Sequence, residues 1–159
     1  LTGVFNRRYF SEALDQEVAR AERDGSRFSL IILDVDHFKK FNDTYGHKCG
    51  DLVLQSLARF LQENTRRGDI VCRYGGEEFV ILLPDTDPDT AYQRAEELRA
   101  QFDAMSVAYE SLYMRATFSA GVACYPVSAK TGEGALTAAD QALYRSKETG
   151  RNRVTLHDG

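Results

Sequence analysis

Cysteine is scarce in this chain: three in 159 residues, at Cys49, Cys72 and Cys124. They are odd in number, far apart and without the close spacing of a zinc or redox motif, which excludes those sites and reads as a reduced, cytosolic compartment. A surplus of positive charge is also missing. Lys and Arg number 20 against 24 Asp and Glu, a formal charge of −4. That balance argues against a nucleic-acid backbone or an anionic membrane surface as the main partner, but leaves local basic clusters free to bind a small phosphate ligand. No apolar run approaches the ~20 residues that span a bilayer, and no charged-then-apolar leader precedes the first helix. Repeats, low-complexity tracts and internal linkers are absent as well. What remains is an ordinary globular composition, 43% hydrophobic and 28% charged, of a length that fits one domain with a buried core. The chain begins at Leu1 without Met, so a domain cut from a longer protein is expected.

The hydrophobic pattern sets out the elements. Asn6 can cap a helix over about residues 7–24, with Phe10, Leu14, Val18 and Ala21 on its apolar face and Gly25 as its stop. Phe28 to Asp34 is an almost continuous apolar run, as expected of a central strand covered on both faces, and its end is abruptly acidic. Val53, Leu54, Leu57, Ala58 and Leu61 recur at helical spacing until Gly68 closes the segment. Ile70-Val71-Cys72 and Phe79 to Leu83, stopped by Pro84, then read as two strands. Asp87 and Pro88 open a helix carrying Ala91, Ala95, Leu98, Phe102 and Met105. Another strand falls within residues 113 to 124. Thr137 with Asp140 resembles a capping box, Ala139 and Leu143 face inward, Gly150 is a stop, and Arg153 to Leu156 is a last strand. This order suits an α+β fold: a central, mainly antiparallel sheet with helices on both faces, of the split βαβ kind.

Two acidic sites fall at ends of the buried strands, Asp34-Val35-Asp36 after the first and Glu77-Glu78 in the hairpin Arg73-Tyr74-Gly75-Gly76-Glu77-Glu78. If those strands are neighbours, several carboxylates meet at one edge, which is unfavourable unless a hard cation such as Mg2+ neutralises them. The alternative is that they are solvated charges at loop ends, the usual fate of such residues. Gly75 and Gly76 permit φ > 0 and let a ligand approach without meeting a Cβ.

These residues resemble the GGDEF domain of diguanylate cyclases. The signature stands as Gly75-Gly76-Glu77-Glu78-Phe79, a GGEEF variant, preceded by Arg73. Agreement extends through Leu1-Thr2-Gly3 with Asn6-Arg7-Arg8-Tyr9-Phe10, Asp34-Val35-Asp36-His37-Phe38-Lys39, and Asn42-Asp43-Thr44-Tyr45-Gly46-His47 with Gly50-Asp51. It continues in Ala139-Asp140, Leu143-Tyr144, Lys147 and Gly150-Arg151-Asn152. The blocks keep the family's order over nearly the whole chain and imply a nucleotidyl cyclase or palm-like core.

The resemblance implies condensation of two GTP into cyclic di-GMP with release of two pyrophosphates, each protomer of a homodimer presenting one GTP. It implies Asp34, the Val35 carbonyl and Glu77 as Mg2+ ligands, with Mn2+ as an alternative ion, and a catalytic set of Glu77, Glu78 and Lys39. Asp36 stays outside the metal set. Asn42 and Asp51 match the guanine-reading positions, where a carboxylate accepts from N1–H and the exocyclic amine, so the substrate is GTP rather than ATP. Asp51 is also a good helix N-cap, and His47 is either a nucleotide contact or incidental. Lys147 and Arg151, with Arg73, would neutralise β- and γ-phosphates beside the open Gly75-Gly76 turn; without the resemblance, Lys147 and Arg151 merely complement a helix C-terminus. The amides of Phe38 and Lys39, opening a short helix, are further phosphate donors. Arg66 and Asp69 form an Arg-x-x-Asp placed as in the family's product-inhibition site for cyclic di-GMP.

The family usually carries an Asp just before Leu-Thr-Gly, where this sequence starts too late, so an upstream sensory or receiver domain is expected. The rival readings are a degenerate module that senses GTP or cyclic di-GMP without catalysis, and a palm-like polymerase. Retained carboxylates and glycines disfavour the first, and the missing basic track disfavours the second. The resemblance further implies a bacterial cytosolic signalling protein with no direct membrane contact from this domain.

Overall fold

The computed structural model of the protein describes residues 4–158, so the Leu1-Thr2-Gly3 motif lies outside the described residues. The elements are α1 (Arg7–Asp24), β1 (Phe28–Val35), α2 (Phe38–Tyr45), α3 (His47–Glu63), β2 (Ile70–Arg73) and β3 (Glu78–Pro84). They continue as α4 (Pro88–Ala104), β4 (Val107–Tyr109), β5 (Leu112–Met114), β6 (Phe118–Tyr125), α5 (Gly132–Glu148) and β7 (Val154–Leu156).

Five strands form one sheet in the order β2-β3-β1-β6-β7, and β4 with β5 forms a separate two-stranded ribbon. β1 is antiparallel to both β3 and β6, β2 is antiparallel to β3, and β7 alone runs parallel to its neighbour β6. The mainly antiparallel α+β expectation therefore holds. Alternation along β1 explains its unbroken apolar run. Ile31 and Leu33 pack with Leu57 and Leu61 of α3 and Leu98 and Phe102 of α4, whereas Leu30 and Ile32 pack with Phe10 and Leu14 of α1 and Leu143 of α5. Each such side chain contributes about 1.5–3 kcal/mol on burial, so a central strand this apolar is held in register from both sides. At Gly121 of β6 an added Cβ would lie 2.2 Å from the Ala139 carbonyl oxygen and 2.2 Å from the Leu143 nitrogen, so α5 rests directly on the sheet backbone.

Local signals are met at α1, where the Asn6 side chain accepts from the Tyr9 amide at 2.9 Å and Gly25 closes the helix at φ 67°. Asp87 likewise caps α4, with Pro88 in its first turn. Several boundaries differ from expectation. The α5 cap is Thr131, whose Oγ1 accepts from the Gly134 amide at 2.9 Å, and Thr137 lies inside the helix. α3 starts at His47, so Asp51 is an internal helix residue and not an N-cap, and the helix ends at Glu63 before Gly68 is reached. Met105 is the C-cap of α4 rather than part of its stripe. The β4–β5 ribbon has no counterpart in the expected elements.

Candidate functional site

Pairing of β1 with β3 sets Asp34 directly opposite Glu78, and the Val35 amide donates to the Glu77 carbonyl at 3.3 Å. The two acidic strand ends therefore share one edge. Asp34 is 9% exposed. Its Oδ2 accepts from Lys147 Nζ of α5 at 2.5 Å, while its Oδ1 is buried without a partner. Burial, and then the Asp34 charge, push the Glu77 carboxyl above its usual range; Lys147 pulls it back. Glu78 is raised by burial first and then by Asp34 and Asp140, against the opposing pull of Lys147 and Arg7. One lysine thus serves three crowded carboxyls, and an orphaned oxygen is left over. That set fits a hard, oxygen-seeking cation. Among the described residues no three acidic, His or Cys side chains form a ready cage, so backbone and ligand oxygens would have to complete the shell.

Asp36 takes no part in this cluster. On a continuing strand it would share the face of Asp34, but β1 ends at Val35. The Asp36 carboxylate instead accepts from Thr117 Oγ1 at 2.7 Å, Ser119 Oγ at 2.6 Å and the Asn152 amide at 2.9 Å.

In the β2–β3 hairpin the Tyr74 amide donates to the Glu78 carbonyl at 2.8 Å. Arg73 folds over the turn: its Nε donates to the Gly76 carbonyl at 3.0 Å and its Nη2 to the same oxygen at 2.5 Å. It therefore braces the hairpin instead of reaching outward. Gly75 and Gly76 do not use positive φ, contrary to expectation, since among the described residues the positive-φ glycines are Gly25, Gly46 and Gly150. A Cβ on Gly76 would meet nothing within 4 Å, and one on Gly75 only Glu78 Cβ at 4.0 Å. What the pair provides is open space beside Glu77. Behind the hairpin the Tyr74 ring lies 4.2 Å from the Arg7 guanidinium carbon and meets Phe10 edge-on.

On the other side of Asp34, His37 at φ 54° turns the chain into α2 and gives no side-chain cap. The first bond of that helix runs from the Phe41 amide to the His37 carbonyl at 2.9 Å, so the amides of Phe38 and Lys39 are outside the helical ladder, as an anion site requires. Asn42, one turn on, has its Oδ1 buried without a partner. A Cβ on Gly50 would stand 1.8 Å from that oxygen, so glycine at this position is what lets the Asn42 amide lie across α3. His47 and Asp51 are exposed on the first turns of α3, beside it. Gly50 stood in the expected motif without a role; only the packing of α2 on α3 reveals one.

Lys147 is occupied by Asp34, and Arg151, half-buried at φ 62°, follows Gly150 in the α5–β7 turn. Arg66 and Asp69 lie at the opposite end of the sheet, before β2. The Asp69 side chain is 1% exposed and accepts from the Arg66 amide at 2.7 Å and from Arg94 Nη2 at 2.7 Å. The Arg66 guanidinium is half-exposed and donates to Thr86 Oγ1 at 2.7 Å. Asp69 is thus an internal anchor, and Arg66 is the outward group of the pair. Arg94, 25 residues further on in α4, carried no signal in the sequence.

A five-stranded sheet with an acidic edge, an open glycine hairpin and an uncapped helix start defines a nucleotidyl-cyclase type of domain. The chain matches the family "Diguanylate cyclase, GGDEF domain" over residues 1–153 and belongs to it. It is 45% identical over 156 residues to diguanylate cyclase DgcP of Pseudomonas aeruginosa, covering 98% of this chain and 23% of that protein. To response regulator PleD of Caulobacter vibrioides it is 42% identical over 156 residues, covering 97% and 34%. The chain therefore spans about a quarter to a third of the length of these curated relatives. Among solved structures, the GGDEF domain of DgcB from Caulobacter crescentus in complex with c-di-GMP superposes with a TM-score of 0.92 at 35% identity, covering 98% of this chain and 90% of that one. The active GGEEF domain of a diguanylate cyclase from Vibrio cholerae gives 0.91 at 34% identity, covering 98% and 99%. Among the described residues no helix is long and apolar enough to cross a membrane.

Proposed function

We propose that this chain is the catalytic domain of a diguanylate cyclase: it joins two GTP into cyclic di-GMP, the 3′-oxygen of each nucleotide attacking the α-phosphate of the other as pyrophosphate leaves. The observation that carries the reading is the acidic edge, where Asp34 stands opposite Glu78 with its Oδ1 unpartnered and the neighbouring carboxyls raised. Asp34, the Val35 carbonyl and Glu77 would hold Mg2+ or Mn2+, which when bound neutralises phosphate charge and acidifies the attacking hydroxyl. The protein supplies the rest. Asn42 and Asp51, with His47 beside them, read the guanine edge; the Phe38 and Lys39 amides hold phosphate oxygens at the start of α2. Lys147, which now holds Asp34, would pair with the phosphates together with Arg151 where a bound cation neutralised Asp34 in its place. Glu78 supports the cluster electrostatically, and Arg73 keeps the Gly75-Gly76 turn open.

Each domain presents one nucleotide, so the reaction belongs to a homodimer. Its formation falls to an upstream sensory or receiver domain in a longer, cytosolic protein of which residues 1–159 are the cyclase domain. Cyclic di-GMP binds back at Arg66, which stacks on guanine while Asp69 anchors it, and inhibits. Calorimetry checks this: Arg66→Ala loses product affinity, and equal affinity in wild type refutes the site. The activity itself is tested by incubating a forced dimer with GTP and Mg2+ and separating the products. Cyclic di-GMP and pyrophosphate are expected from GTP and nothing from ATP; absence of cyclic di-GMP overturns the reading.

A further inference from the structure

Among the described residues five non-glycine residues have positive φ, and three of them lie in the two turns that meet at Asp36: His37, next to it in sequence, and Arg151 and Asn152, of which Asn152 donates its amide to the Asp36 carboxylate. Left-handed backbone is unfavourable for residues with a Cβ, so it persists only where neighbouring bonds fix it. The bonds here are specific. Asp36 Oδ2 accepts from the Asn152 amide at 2.9 Å and from Thr117 Oγ1 at 2.7 Å; Oδ1 accepts from Ser119 Oγ at 2.6 Å. The Asn152 amide is shared with Ser119 Oγ at 3.1 Å, and the Asp36 amide donates to the Thr117 carbonyl at 2.9 Å. One buried group, 9% exposed, therefore ties together the β1–α2 turn, the start of β6 and the α5–β7 turn. Asn152 extends the tie, with its Oδ1 accepting from Arg99 Nη1 at 2.9 Å and its Nδ2 donating to Asp103 Oδ2 at 3.2 Å.

The two turns that Asp36 joins are those that face the nucleotide's phosphates in the function proposed above, on which this inference rests. One carries the Phe38 and Lys39 amides, and the other carries Arg151. The geometry points to Asp36 as a positioning residue that sets the spacing between the two phosphate-facing turns, distinct in role from the acidic edge two residues earlier. Its donors are two hydroxyls and one backbone amide, all uncharged, so the role demands acceptor atoms in place and not a negative charge. An asparagine can meet that demand: its Oδ1 serves Thr117 and the Asn152 amide, and its Nδ2 donates to a rotated Ser119 hydroxyl. A metal ligand would not survive the same change.

The test compares Asp36→Asn and Asp36→Ala with wild type in a forced dimer, using GTP kinetics, Mn2+ titration and amide exchange at residues 37–39 and 151–153. Asp36→Asn is expected to keep kcat/KM within about tenfold of wild type, with Mn2+ affinity and amide protection unchanged. Asp36→Ala is expected to lose on the order of 100-fold in kcat/KM, mostly through KM, and to lose protection in both turns together. Equal damage from Asn and Ala, weakened Mn2+ binding in Asp36→Asn, or protection lost in only one turn would each overturn the proposal. If Asp36→Ala does not fold, the Asp36→Asn arm decides alone. A wild type that makes no cyclic di-GMP would refute the proposed activity, and the exchange arm would still decide whether Asp36 couples the turns.

Discussion

Gly50→Ala separates a binding role for Asn42 from a packing role. The new Cβ would stand 1.8 Å from Asn42 Oδ1, 2.9 Å from its Cγ and 3.1 Å from Phe38 Cζ. To reach an ordinary contact of 3.4 Å the amide oxygen must retreat by roughly 1.6 Å. Hydrogen bonds weaken steeply beyond about 3.2 Å, so a guanine held by that amide loses the bond, which costs about 1–3 kcal/mol. KM for GTP should rise about 10–100-fold, with kcat little changed. Stability responds differently. Alanine gains about 0.8–1 kcal/mol of helix propensity over glycine, set against about 1–3 kcal/mol for overpacking, so the net loss is about 1 kcal/mol. Steady-state pyrophosphate release from a forced dimer, with a calorimetric melt beside it, reads both. A Gly50→Ala protein with wild-type KM would refute the assignment of Asn42 to the guanine.

The Glu77 and Glu78 carboxyls titrate higher in the folded than in the unfolded chain, so between the two values the native state holds extra protons and unfolding releases them. Metal-free stability should therefore fall as pH rises from the ordinary glutamate range through the raised values. Glu77→Gln should flatten that decline and stabilise the metal-free domain at neutral pH; melts across pH that show the mutant less stable would contradict this. Gly121→Ala sets a Cβ 2.2 Å from backbone atoms of α5 that cannot swing aside. It should cost about 3 kcal/mol and lower Tm by about 10 °C, and a near-wild-type melt would show that α5 can lift off the sheet.

The elements that could be read from sequence were those governed by local chemistry. Asn6, Gly25, Asp87 and Pro88 announced their helix ends, and the apolar runs of β1 and β3 announced buried strands. Failures came where a local signal competed with packing. Thr137 has the spacing of a capping box, but Thr131 takes the cap, and the glycines at 132 and 134 disguise the first turn of α5 as a loop. Gly46 and Gly50 similarly hid the start of α3, although Gly50 is there to admit a side chain from α2. The β4–β5 ribbon escaped because its strands have three residues each and its turn places Glu110, not glycine, at φ 54°. The acidic site was half legible. Motifs named Asp34, Glu77 and Glu78, but that Asp34 faces Glu78 depends on strand register across 43 intervening positions. No local pattern could show that Lys147 closes onto Asp34, that Arg73 turns back on its own hairpin, or that Asp69 is buried against Arg94.

Our central proposal places the conversion of two GTP into cyclic di-GMP at the acidic edge. Forced dimers of wild type and of Glu77→Gln, given GTP and Mg2+ side by side, test it directly. Wild type should accumulate cyclic di-GMP, and Glu77→Gln, folded and at least as stable, should accumulate none. Equal yields from the two proteins, or none from wild type, would contradict it.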